Sequence, residues 1–262
     1  MLAIKLLTNV LCAFTLVISF CLVTGASSAQ ELDTEALSPQ LQSPLRFQHL
    51  TSEDGLAQNT VYAIMQDRNG FMWFGTEGGL SRYDGYDFLT FEADANDVEG
   101  MQRDHINALM EDDTGRIWIA TDGGGVLRLD PHTLEIRNLF LEPTAGEAPP
   151  IFDSRVRSLF QDSSGNIWFG SNNMFGLSRM NPATATFDNY LLSDDRDNNI
   201  SGSTFLDIIE TDDAKVWFAA GRSVDRFDLA TEAFTNFPLD EGNNSSAVHQ
   251  DQYGRIWLGT AQ

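Results

Sequence analysis

Asp162-Ser163-Ser164-Gly165-Asn166-Ile167-Trp168-Phe169-Gly170-Ser171 decides the fold, because the chain writes this stretch five times. The other copies run Asp67 to Thr76, Asp112 to Thr121, Thr211 to Ala220 and Asp251 to Thr260. Each places a tryptophan at the same point: Trp73, Trp118, Trp168, Trp217 and Trp257, spaced by 45, 50, 49 and 40 residues. A period in this range signals a repeat architecture. Within a copy, the aspartate can bond the backbone two residues on, and glycine at the fourth place supplies a left-handed turn. The following run, such as Ile167-Trp168-Phe169, is apolar on consecutive residues. A strand apolar on both faces is covered on both faces.

Working outward, three further strands accompany each tryptophan strand. The first unit predicts strands at Val61 to Gln66, Phe71 to Thr76, Gly79 to Asp84 and Asp87 to Phe91. Further units repeat this order, the second with its fourth strand at Leu134 to Phe140, and the last supplies only Ala247 to Gln250 and Arg255 to Thr260. In the fourth unit Thr211 and Ala214 replace the aspartate and glycine, so its turn is expected to differ. Phe47 to Leu50 reads as an orphan strand. Four antiparallel strands per forty-odd residues describe a β-propeller blade. The fold class is thus all-β: a β-propeller of four-stranded antiparallel blades, incomplete, with four blades and part of a fifth. The blades span about 56–98, 99–146, 147–195, 196–240 and a partial 241–262. Four blades and two strands leave a ring unfinished, so the chain reads as the front of a longer protein.

Residues 1–29 read as a secretory signal peptide: Lys5, an apolar stretch from Val10 to Val23, then small residues up to Ala29. An uncleaved anchor is the competing reading. Residues 30–44, polar with Pro39 and Pro44, form a linker ahead of the propeller at 45–262. Both cysteines, Cys12 and Cys21, lie in the leader, so no disulfide framework or thiol site is expected beyond it. Sixteen basic against thirty-eight acidic residues give a net charge of -22, which repels phosphate backbones and argues against nucleic-acid binding. An exported, periplasmic location fits this balance.

The order of residues from Gly55 to Phe88, GLAQNTVYAIMQDRNGFMWFGTEGGLSRYDGYDF, closely resembles the two-component regulator propeller repeat. Met110 to Asp130, Phe160 to Asn181 and Ala247 to Thr260 resemble it well, and Ile209 to Asp228 more weakly. The resemblance implies the periplasmic sensing part of a membrane receptor, with a histidine kinase or diguanylate cyclase in C-terminal parts that this chain lacks. It implies no catalysis here, a small-molecule or oligosaccharide ligand, and downstream signalling domains of the same receptor as partners, with a homodimer as a further option.

In a propeller, ligands meet the face where loops enter the innermost strands. That rule nominates Asn59, Tyr62, Asp104, His105, Asn107, Arg155 and Arg157 as ligand-binding residues; solvated loop ends are the plain alternative. A secreted propeller enzyme acting on a polysaccharide or small organic substrate would need a catalytic trio, for which only Asp104, His105 and Arg155 are available. A plain interaction scaffold is the third reading. No cofactor or metal is expected: the aspartate turns lack alternating oxygens, and Asp195 to Asn199 lacks the glycine and distal glutamate of a calcium loop. The recurring Arg82, Arg128, Arg179 and Arg226 read as structural, pairing with acidic residues of a neighbouring blade. His249, standing where other units carry Met65, Met110, Phe160 and Ile209, reads as a core or interface residue.

Overall fold

The computed structural model describes residues 47–94, 101, 105–139, 154–172, 176–192 and 200–261. The expected signal peptide, the linker, Asp104 and the Asp195 to Asn199 loop lie outside the described residues. Four antiparallel sheets of four strands follow one another along the chain. The first comprises β1 (Val61–Gln66), β2 (Met72–Thr76), β3 (Gly79–Tyr83) and β4 (Phe88–Phe91). The second comprises β5 (Ile106–Glu111), β6 (Ile117–Thr121), β7 (Val126–Leu129) and β8 (Ile136–Asn138). The third holds β9 (Val156–Gln161), β10 (Ile167–Ser171), β11 (Leu177–Asn181) and β12 (Thr186–Tyr190). The fourth holds β13 (Asp207–Thr211), β14 (Lys215–Ala219), β15 (Ser223–Asp228) and β16 (Ala233–Pro238), and β17 (Asn244–Gln250) pairs with β18 (Ile256–Ala261). The first strands of successive sheets, β1, β5, β9, β13 and β17, pack side by side. Sheets that share their innermost strands in this way are propeller blades.

The repeated turn works through both oxygens of one carboxylate. Asp162 Oδ1 accepts the backbone N–H groups of Ser164 and Asn166, at 3.0 and 2.9 Å. Its Oδ2 accepts the indole N–H of Trp168 at 2.8 Å. The same indole bond joins Trp73 to Asp67 (2.9 Å), Trp118 to Asp112 (2.8 Å) and Trp257 to Asp251 (2.9 Å). Tryptophan buries a large ring but must satisfy its single donor, and the turn aspartate supplies the acceptor. The fourth unit overturns one expectation. Its turn keeps the usual shape, with Ala214 N–H donating to the Thr211 carbonyl at 2.9 Å and Ala214 at φ 58°. What changes is the carboxylate, since Thr211 instead donates its hydroxyl to Asp213 at 2.5 Å.

Opposite four of the five indoles stands an arginine. Trp73, Trp118, Trp168 and Trp217 register directly against Arg82, Arg128, Arg179 and Arg226. The guanidinium of Arg179 lies 5.6 Å from the Trp168 ring and 5.3 Å from Phe227 of the next blade. It also pairs with Asp188 at 2.7 Å and with Glu232 of the next blade at 2.9 Å. That is the cross-blade pairing expected from sequence. Arg82 and Arg226 share the contact with aromatic rings, Arg82 at 4.5 Å from Phe71 and Arg226 at 5.6 Å from Trp217, but not the ion pair with an acidic residue among the described residues.

The cores lie between blades. Trp73 packs with Ile106, Ile117 and Ile119; Trp118 with Val156, Ile167 and Phe169; Trp168 with Phe205, Phe218 and Phe227. Gly170 lets the blades close, because a Cβ there would sit 2.6 Å from that of Phe205. A polar latch repeats at each interface. The N–H after the turn position donates to the next blade's first strand: Arg68 to Glu111 (2.8 Å), Asp113 to Gln161 (2.8 Å), Ser163 to Glu210 (2.6 Å) and Asp212 to Gln250 (3.2 Å). Burial of about 25 cal/mol per Å² of apolar area drives the association, while the latches set the register between blades.

Three local readings are corrected. Phe47 to Leu50 is irregular chain rather than strand. β8 starts at Ile136, because Leu134 adopts φ 61° in the turn before it. His249 faces Trp257 across the strands as the repeat requires, yet it is exposed, because no further blade covers that sheet among the described residues. For the same reason Trp257 is 56% exposed, whereas Trp73 and Trp168 are fully buried.

Candidate functional site at the inner-strand mouth

Four of the five inner strands carry a bulge where they enter their blades, whereas β13 pairs without one. Val61 pairs with Thr76 and Ala63 with Gly75, so Tyr62 is an extra residue in the ladder. Ile106 pairs with Thr121 and Ala108 with Ala120, which makes Asn107 the extra residue of β5. Val156 pairs with Ser171 and Ser158 with Gly170, which does the same for Arg157 in β9. A β-bulge releases one residue from the ladder and re-aims its side chain. These three bulges fall on residues nominated from sequence, and a fourth, in β17, falls on Ser246, which was not nominated.

These side chains meet across blade boundaries. The Tyr62 ring stacks on His105, with centroids 4.5 Å apart and planes 19° apart. Asn107 donates its amide to the Val156 carbonyl at 2.8 Å and accepts from Arg157 Nη1 at 3.1 Å. Arg157 Nη2 lies 3.9 Å from Asp122 Oδ2, too long for a hydrogen bond. Asp122 N–H donates to the His105 carbonyl at 2.9 Å, and Asp122 also forms an isolated bridge with Arg155. Arg155 adds its carbonyl, which accepts from Asn172 N–H at 3.0 Å.

Two buried nitrogens in this group, His105 Nε2 and Arg157 Nε, have no hydrogen-bond partner. Leaving a buried polar atom unpaired costs about 1–3 kcal/mol, so each such atom calls for a structural reason. Tyr62 keeps 48% of its surface exposed. The cluster therefore offers an aromatic face beside unsatisfied nitrogens.

Asn59 does not join this cluster. It is exposed, and its side-chain oxygen accepts from Ser52 N–H at 2.8 Å, bracing the lead-in turn. Asp104 lies outside the described residues, so the trio of Asp104, His105 and Arg155 is not assembled by what is described. The sequence reading missed Asp122. Its signal was present, since loops joining the second and third strands belong to the same face as the strand entries.

Comparison with known proteins follows the repeat. The family model described as "Two component regulator propeller" matches residues 55–78, 100–123, 150–173 and 240–262. Those four segments match that family's repeat. The fourth unit, with Thr211 and Ala214 in place of aspartate and glycine, falls between the matched segments. A segment of 51 residues is 39% identical to histidine kinase P4 of Formosa agariphila. Among solved structures, the extracellular domain of the hybrid two component system BT3049 from B. thetaiotaomicron is 25% identical. It superposes with TM-score 0.70 over 81% of this chain. Virginiamycin B lyase from Staphylococcus aureus, at 16% identity and TM-score 0.59, shares the propeller fold. The chain spans 4% of the histidine kinase and 29% of the BT3049 chain.

Proposed function

We propose that this chain is an exported, ligand-sensing propeller region of a two-component-type receptor, non-catalytic in itself. One observation supports the reading: the bulges release Tyr62, Asn107 and Arg157 from their ladders, and Tyr62 stacks on His105 while Asn107 bonds Arg157 across blade boundaries. The blade framework around them repeats, and the residues at the mouth do not. A constant scaffold with a variable polar rim suits recognition. The matched repeats and the likeness to an extracellular domain of a hybrid two component system support the sensor class. Among the described residues no helix is long and apolar enough to cross a membrane. The ligand is a small molecule or oligosaccharide, and the output passes to signalling domains in other parts of a periplasmic, membrane-anchored receptor or its homodimer.

Thermal-shift screening of the chain against an oligosaccharide panel tests this. A ligand at one hundred times its Kd adds about 2.7 kcal/mol of stability. Tyr62→Ala is expected to erase the shift. A shift that survives both Tyr62→Ala and Arg157→Gln would place recognition elsewhere.

A further inference from the structure

We infer that the second blade carries a binding site for a small tetrahedral oxyanion, phosphate or sulfate, in a cleft formed by β6, β7 and β8. The cleft has a volume of about 230 Å³ and is lined by Arg116, Arg128, Arg137, Asp130 and Glu135. Arg116 precedes β6 and Asp130 follows β7, whereas the Asp122 loop joins the other ends of these two strands. The cleft is therefore separate from the mouth, and nothing in this inference depends on the mouth being a ligand site.

The other blades show what usually surrounds this arginine. Arg179, the counterpart of Arg128, pairs with Asp188 opposite it at 2.7 Å and with Glu232 of the next blade at 2.9 Å. Around Arg128 neither acid is kept. The residue registered against it is Arg137, and the next blade's turn residue that matches Glu232 (φ 53°) is Ala185 (φ 56°). In the first blade Arg82 lies 4.5 Å over Phe71, and the residue in the place of Phe71 is here Arg116. In the fourth blade that place belongs to Lys215, which bonds Asp228 at 2.6 Å. Arg116 makes no such pair with the matching Asp130 among the described residues, while Asp130 keeps its turn bonds from His132 and Thr133 N–H at 2.9 and 3.3 Å. Like charges directly opposite each other destabilise a sheet. Three arginines against two carboxylates leave the cleft one positive charge in excess, in a chain of net charge -22. Guanidinium groups only donate, so what completes them must accept. A planar carboxylate fills one guanidinium fork, whereas a tetrahedral oxyanion offers oxygens to several at once. Guanidiniums contributed by three neighbouring strands therefore set the ligand class.

Calorimetry on the full chain tests this, with sodium phosphate, sodium sulfate and sodium acetate titrated at one low ionic strength, because salt screens exposed charges. Phosphate or sulfate is expected to bind about tenfold or more tightly than acetate, the equivalent of about 1.4 kcal/mol. A preference between the two names the source, and equal affinity keeps the class. Arg137→Asp, which sets the carboxylate of Asp188 opposite Arg128, should weaken the oxyanion about tenfold or more. Arg116→Asn, which copies Asn166, should weaken it as well, and Tyr62→Ala should leave it unchanged. Both arginine variants carry residues that the third blade already holds at these positions, and circular dichroism checks that they fold. No saturable binding of either oxyanion, acetate binding as tightly, or an affinity unmoved by Arg137→Asp or by Arg116→Asn overturns the inference. Loss of binding in Tyr62→Ala with both arginine variants unaffected would put the anion at the mouth instead.

Discussion

Trp168 donates its indole N–H to Asp162 at 2.8 Å, and Asp162 is itself 3% exposed. One carboxylate thereby ties a turn to a strand that begins after it, and the strand's ring fills the space between two blades. Turn, strand and interface become a single unit, which explains why the repeat keeps aspartate and tryptophan six residues apart.

Replacing Asp162 by alanine should therefore cost more than a lost turn. It removes acceptors from Ser164, Asn166 and Trp168 together and strands a buried indole donor. Bonds to a charged acceptor contribute roughly 1.5–3 kcal/mol each when one partner is deleted, not additively, so a loss of about 3 kcal/mol is expected. Urea denaturation followed by tryptophan fluorescence measures it. A loss below about 1 kcal/mol would mean that packing alone holds the indole.

The fourth unit invites the opposite experiment. Ala214 sits at φ 58° in a turn whose other copies use glycine, for instance Gly165 at φ 84°. A non-glycine residue in this region carries roughly 1–2 kcal/mol of strain, part of which glycine's greater unfolded-state freedom offsets. Ala214→Gly is expected to stabilise the chain by about 0.5–1 kcal/mol, read as a rise in the urea midpoint at constant slope. No rise would show that the turn relaxes around alanine.

The all-β class, the strand order within each sheet and the tryptophan strand were legible in the sequence because repetition averages out local ambiguity. Four copies of Asp-x-x-Gly before an apolar run, and a fifth run with Thr211 and Ala214 in their place, leave little room for another period. The mouth was legible only in part. Tyr62, Asn107 and Arg157 were nominated by position, but their bulges were not, since a one-residue slip depends on how neighbouring inner strands crowd together. Asn59 looked equivalent to them and instead braces Ser52. His249 followed the repeat in register but not in burial, because burial belongs to the adjoining blade rather than to the residue.

Asp225 makes a pH-dependent prediction. It is fully buried, and burial, the largest influence, pushes its carboxyl above the ordinary range, despite bonds from Ser201, Gly202 and Ser223 that act the other way. In the folded chain it therefore holds its proton to higher pH than when unfolded. Its ionisation lowers stability as pH rises from about 4, the unfolded value, to the folded pKa, and the effect is constant above that. Asp112 behaves oppositely: burial raises it, but bonds from Thr114, Trp118 and Arg116 outweigh this and hold it low. Its contribution is present above the unfolded value and disappears as pH falls through the folded one. Asp225→Ser, which copies Ser81 and Ser178 at the matching positions, should remove the first trend and leave the second. Urea midpoints from pH 4 to 7 test this: wild type should lose stability relative to the variant as pH rises. Parallel curves would refute it.

The Arg179–Glu232 pair makes the last prediction, about what holds the third blade to the fourth. Arg179 is only 12% exposed at its side chain and lies against Trp168 and Phe227, whereas Glu232 is 65% exposed. An ion pair with one solvated partner contributes little, roughly 0.2–1 kcal/mol, and salt screens it. The guanidinium's contact with two aromatic rings adds on the order of 0.5–2 kcal/mol and does not depend on Glu232. In a double-mutant cycle, Arg179→Ala should therefore cost about 1–3 kcal/mol while Glu232→Ala costs under about 1. Their coupling should fall toward zero in 1 M salt. A coupling that accounts for most of the Arg179 loss, and that persists at high salt, would make the ion pair rather than the rings the fastening between these blades.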